Sequence, residues 1–110
     1  MANTFSNAKQ REVGTSATTV YTVANTSGNR TIVIGCNLSN ITASSITASV
    51  SVFNTGGDQY FIVKDAPIPS GGSLEVCAGN KIVLNQNETV KVQSSTASSL
   101  DVLLSVMEIT

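Results

Sequence analysis

Two cysteines, Cys36 and Cys77, and the scattered carboxylates Asp58, Asp65, Glu75 and Asp101 are the residues on which any chemistry of this chain would have to rest. Histidine is absent from the sequence. That removes the commonest general base and nitrogen ligand near neutral pH, and with it the Ser–His and Cys–His nucleophile pairs. A hydrolase built on two carboxylates stays formally open, but these acids fall in turns or on faces expected to be wet, and no spacing sets one pair apart. Two separated cysteines do not make a four-ligand zinc site. No closely spaced acids form a calcium loop, and neither Gly56-Gly57 nor Gly71-Gly72 runs on into the Gly-Lys-Ser/Thr of a phosphate loop. The expectation is a non-enzymatic protein without catalytic, metal-binding or cofactor-binding residues.

The cysteines are better explained by packing. On strand parity Cys36 follows Ile32 and Ile34 on the inward face, whereas Cys77 follows Ser73 and Glu75 on the other. Two unpaired thiols used as small apolar residues are therefore expected, with a disulfide as the alternative. Asn-x-Ser/Thr sequons occur at Asn25, Asn29, Asn37, Asn40 and Asn87. A chain so rich in Ser, Thr and Asn produces them by chance, and no glycan is assigned to them.

The elements that would position these residues are strands. Ile32, Ile34, Cys36 and Leu38 alternate with polar residues, as do Ile46, Ala48, Val50 and Val52, and Leu100, Val102, Leu104 and Val106 form one face of a closing strand. Asn, Gly and Ser clusters punctuate these runs, including Asn54–Asp58, Gly71-Gly72, Gly79-Asn80 and Asn85–Asn87. Pro67 and Pro69 are expected to stop a strand that begins at Tyr60, because proline lacks a ladder donor. About eight short strands from Thr18 onward, without helical periodicity between them, predict a single antiparallel all-β sandwich, jelly-roll or Ig-like in topology. Residues 1–17 are polar and do not alternate. They read as an extended N-terminal arm on a domain spanning 18–110, ordered against a partner.

At 110 residues the chain fits one domain, and only 12% of it is charged, with a formal net charge of −1. Clustered Lys or Arg is missing and aromatics make up 5%, which argues against nucleic acid as a partner. No run approaches the roughly 20 apolar residues of a membrane helix. The N-terminus shows no charged start followed by an apolar core, so no secretory signal is expected. On the closing strand the face opposite the core carries Leu103, Met107 and Ile109, a candidate interface.

Lys64-Asp65-Ala66-Pro67-Ile68-Pro69, Gly71-Gly72-Ser73-Leu74-Glu75-Val76, Lys81-Ile82-Val83-Leu84, Val90-Lys91-Val92 and Ser98-Ser99-Leu100-Asp101-Val102 together resemble the small β-rich virion structural proteins of tailed bacteriophages, particularly those of cyanobacterial and marine hosts. The resemblance covers Thr18 to Ile109. It implies a capsid decoration, or cement, protein bound to the major capsid protein in the virion, with a neck or tail accessory protein as the alternative. By the same analogy it implies a homo-oligomer, a trimer first, assembled in the host cytoplasm. A rival of another class is a carbohydrate-binding or adhesive sandwich, for which Tyr21, Phe53, Tyr60 and Phe61 would supply the aromatic platform. A pilus or surface-layer subunit would need an export signal.

Overall fold

A computed structural model describes residues 3–24, 26–77 and 81–110. The turn expected at Gly79-Asn80 lies outside them, as does Asn25. The described residues form nine strands and no helix: β1 (Asn3–Val13), β2 (Thr18–Thr22), β3 (Arg30–Asn40), β4 (Ile46–Phe53), β5 (Gln59–Ile68), β6 (Ser73–Glu75), β7 (Ile82–Leu84), β8 (Thr89–Ser94) and β9 (Leu100–Ile109). One sheet has the order β1-β9-β3-β6, with β7 also on β3, and the other has the order β2-β8-β4-β5. Every pairing is antiparallel. β4 pairs with β5, β3 with β6 and β7, β2 with β8 and β1 with β9, so the pairs nest one outside the other. Of the two topologies that the sequence leaves open, this nesting is a jelly roll: a ribbon of paired strands folded over into two packed sheets.

Alternation builds the core between the sheets. The closing-strand set Leu100, Val102, Leu104 and Val106 is fully buried, and it faces Ile46, Ala48, Val50 and Val92 from the second sheet. In β3 the expected parity fails halfway. Val33 pairs with Val106 and Gly35 with Ser105, leaving Ile34 unopposed in a bulge. The extra residue flips the face, so Val33, Cys36 and Leu38 point inward while Ile32 and Ile34, both expected inside, turn out.

Two more bulges solve a hydrogen-bonding problem in the same way. Glu12 and Asp65 each adopt φ of 52°. Both amides have lost the ladder and donate instead to a side chain on the partner strand, Glu12 to Asp101 Oδ1 at 3.0 Å and Asp65 to Ser49 Oγ at 2.9 Å. β5 runs through Pro67 rather than stopping before it, because β5 is the edge of its sheet, where a missing donor costs little.

The polar segment set apart in the sequence pairs with β9 from Asn3 to Gln10 and shifts register before Val13. It does not alternate because most of it is exposed on both faces. Its crossing to the second sheet is pinned: Ser99 N–H donates to Val13 O at 3.2 Å, and Ser94 N–H donates to Gly14 O at 2.9 Å. The buried Ser94 and Ser99 hydroxyls lie 2.6 Å apart beneath that crossing.

Asn40 ties the far end of β3 to its surroundings. Its buried amide nitrogen donates to the carbonyls of Ser44 at 2.8 Å, Ile68 at 3.0 Å and Pro69 at 3.2 Å, while Oδ1 accepts from the Thr42 amide and hydroxyl at 2.9 and 2.7 Å. The sequon at this position is consequently folded into the core. Replacing Asn40 with leucine strands these groups without partners, and urea unfolding should show a loss of about 3 kcal/mol.

Candidate functional site

The outward flip of β3 creates a surface that the sequence does not display as a run. Directly opposite residues on neighbouring strands share a face. Phe5 on β1 pairs with Met107 on β9, Met107 with Ile32 on β3, and Ile32 with Val83 on β7. These four side chains make an apolar row across the outer face of the first sheet. Its ends are the most open: Phe5 is 74% exposed and Val83 59%, whereas Met107 and Ile32 are half-buried. Of the residues expected on this face, Leu103 is 46% exposed between Lys9 and Asn37, and Ile109 is half-buried between Asn3 and Arg30. Beside Leu103 an open groove of about 280 Å³ is lined by Lys9, Arg11, Asn37, Ser39 and Asp101. Phe5, Ile32 and Val83 were missed in the sequence. The one signal for Ile32 was Gly35, since an isolated glycine inside a strand marks a bulge.

The four aromatics proposed as a sugar platform go to different places. Tyr21 is half-buried, and its hydroxyl donates to Glu108 Oε2 at 2.5 Å and lies 3.0 Å from Thr31 Oγ1, linking the two sheets. Burial, followed by the hydrogen bond to the Glu108 carboxylate, raises the Tyr21 phenol above its ordinary value. Phe53 is partly buried, with the Lys91 ammonium 4.4 Å from its ring centre. Tyr60 and Phe61 are exposed but adjacent in β5, so they do not stack into one flat surface, and Lys64 sits 5.2 Å over Phe61.

The four carboxylates singled out in the sequence are spread out, and each is engaged with backbone or side chains. Asp58 N–H is held by Asn54 Oδ1 at 2.9 Å in its turn, Asp65 sits at its bulge beside Ser49, and Asp101 accepts from Glu12. Glu75 Oε2 accepts from two amides, Cys36 at 2.8 Å and Cys77 at 3.1 Å. Among the described residues no group of three or more His, Cys, Asp or Glu side chains is arranged to hold a metal ion.

Parity separates the two cysteines; the structure brings them together. β6 ends at Glu75, and the chain then bends and carries Cys77 into the same core as Cys36, both as free thiols. Burial, with smaller contributions from the Cys77 thiol and the Glu75 carboxylate, pushes the Cys36 thiol up to about 12. Burial and Glu75 raise Cys77 as well.

No protein-family model matches the sequence, and no curated protein matches it. Solved structures do. The chain is similar to a subunit of Bacillus endospore appendages, described as a family of disulfide-linked pili, with a TM-score of 0.60 and 13% identity over 99% of this chain and 87% of that one. It is also similar to a capsid chain of the T13 particle of infectious bursal disease virus, with a TM-score of 0.58 and 7% identity. A mutant VP2 protein of that virus in T=1 particles gives a TM-score of 0.51 at 8% identity. The chain covers 96% of its own length in both viral comparisons but spans only 30% and 31% of those capsid chains. At these identities the likeness is one of fold: a β-sandwich shared with structural proteins of pili and capsids.

The Cys36 shift carries a stability consequence with a definite sign. Its folded value lies above the ordinary 9.0, so the unfolded chain ionises first, and stability present below pH 9 is lost as pH rises toward 12. The raised Tyr21 phenol acts in the same direction from its ordinary value of 10.0 upward. Under reducing conditions, urea unfolding should lose up to about 4 kcal/mol between pH 9 and 12 from Cys36, and Cys36→Ala should flatten that decline.

Proposed function

We propose that this chain is a non-enzymatic structural subunit that builds or coats a repeating protein assembly, and that the assembly is the virion of a tailed phage. The observation that carries the reading is the apolar row Phe5–Met107–Ile32–Val83 on the outer face of the first sheet. A face that should be solvated instead offers a continuous apolar strip, and such strips mark protein contacts. The likeness of fold to capsid proteins supports a particle component, and the resemblance of the Lys64–Val102 segments to tailed-phage virion proteins supports decoration of the capsid exterior. In this role the chain binds the major capsid protein as a homo-oligomer, a trimer first. Leu103, Met107 and Ile109 lie within the contact, and β1 presents Phe5 and a free strand edge to a neighbour.

A second reading is favoured by a separate observation. The pilus subunit matches nearly end to end, 99% of this chain against 87% of that one, whereas the capsid proteins match over less than a third of their length. A filament subunit would use the same outer strip between successive copies.

Two measurements test these readings. Quantitative mass spectrometry of gradient-purified phage particles should find the chain near the copy number of the major capsid protein. A handful of copies would move it to the neck or tail, and absence from particles together with filaments of the purified protein in electron micrographs would establish the pilus-like role. Phe5→Lys with Val83→Lys should weaken self-association or particle binding at least about tenfold, measured by light scattering and co-sedimentation. The urea midpoint should stay unchanged, because both side chains are already exposed.

A further inference from the structure

We propose that Cys36 and Cys77 are the two halves of an intrachain disulfide that fastens the short β6 edge to the central strand β3. The observation is geometric. Both residues are 2% exposed within one buried cluster. The Glu75 Oε2 atom accepts from both of their amides, so the two backbones converge on a single oxygen. Val76 N–H also donates to Cys36 O at 2.8 Å, continuing the ladder in which Asn37 faces Glu75.

Val76 therefore stands opposite Cys36, and Cys77 is the next residue, in the bend that follows the pair. The Cys36 and Cys77 amide nitrogens lie 2.8 and 3.1 Å from the same Glu75 oxygen and so within about 6 Å of each other, a separation compatible with the roughly 4.4–6.8 Å between Cα atoms that a disulfide bridges. The bend after Glu75, which overturns the parity expected from sequence, turns the Cys77 side chain into the core where the Cys36 thiol already lies.

The bond forms by thiol–disulfide exchange with a small-molecule disulfide such as oxidised glutathione. Burial holds both thiols protonated at neutral pH, so exchange waits on local opening. The element that opens is identifiable: β6 has three residues at a sheet edge, whereas Cys36 lies in an eleven-residue strand paired on both sides. The Cys77 thiol loses its proton and attacks the small disulfide, releasing one glutathione thiol and leaving a mixed disulfide on Cys77. Reclosure brings Cys36 to that sulfur. Its thiol loses a proton, forms the Cys36–Cys77 bond and displaces the second glutathione. Two S–H bonds are lost, one S–S bond is made, and the two electrons end on glutathione.

The link closes a ring containing β4, β5 and β6, restricts the unfolded chain and denies β6 its independent fraying. It is independent of the assembly role proposed above.

The test uses the full chain, folded and incubated with oxidised glutathione or with a reducing phosphine, then denatured, alkylated and weighed intact. The oxidised sample should be a monomer two hydrogens lighter than the reduced one, should resist alkylation in denaturant, and should yield a Cys36–Cys77 linked peptide. Its Tm should rise by on the order of 10 °C over the reduced sample. That rise should vanish in Cys77→Ala. Both thiols still alkylating, glutathione retained as a stable adduct, or chains linked to one another through either cysteine would overturn the proposal. The comparison of oxidised with reduced wild-type chain decides it even if a variant fails to fold.

Discussion

The single unopposed residue at Ile34 governs more of this molecule than any side-chain contact. β3 is the strand on which β9, β6 and β7 all pair, so its facing decides which side chains line up across three neighbouring strands. Without the bulge, the alternation Ile32, Ile34, Cys36, Leu38 would run on one face throughout, and the Arg30–Val33 half would turn Ile32 inward and Val33 outward. With it, Val33 packs against the second sheet while Ile32 joins Phe5, Met107 and Val83 outside. One inserted residue thus exchanges a core position for a surface one, and it sets Ile32 between Met107 and Val83 so that the apolar row runs unbroken across the outer face.

The same economy applies to the polar groups. Asp101, Ser49, Glu75 and Asn40 each supply side-chain oxygen or nitrogen where the backbone ladder is broken: at the Glu12 bulge, at the Asp65 bulge, past the end of β6 and at the end of β3. Of these, two are carboxylates that a reader of the sequence would weigh as catalytic. Buried or interrupted backbone demands partners, and in a chain with so few charges these acids meet that demand. Their dispersion follows from the positions of the breaks in the ladder.

How much of this was legible depends on whether a residue sits in regular alternation. Leu100, Val102, Leu104 and Val106 alternate without interruption and are buried as read, and the all-β sandwich follows from such runs. Ile32, Ile34 and Cys77 were misassigned for one reason: period two carries facing only as far as the next bulge or strand end, and the bulge at Ile34 and the bend after Glu75 reset it. β1 hid itself differently. A strand with little buried surface has no cause to alternate, so residues 1–17 look like a tail although Asn3–Val13 pairs along most of its length. Pro67 misled because its cost depends on whether the strand is an edge, which only the sheet order reveals.

A jelly roll closes its core between two sheets but leaves each sheet with edges and an outer face, and those decide what it can build. Here the edges of the second sheet are the five-residue β2 and the proline-bearing β5, both poor templates for another strand. The first sheet differs on both counts. Its β1 edge is eleven residues long and free of proline, and the apolar row begins at that edge with Phe5. A neighbour approaching there meets backbone donors and acceptors together with the apolar row, beside Lys9, Arg11 and Asp101, whereas an approach to the second sheet meets Lys64, Asp65, Lys91 and Gln93 around the exposed Phe61. Desolvating such charged groups costs free energy that burying the apolar row returns. In the proposed assembly role the first sheet is the better suited of the two to meet a neighbour, since it combines a long proline-free edge with the apolar row.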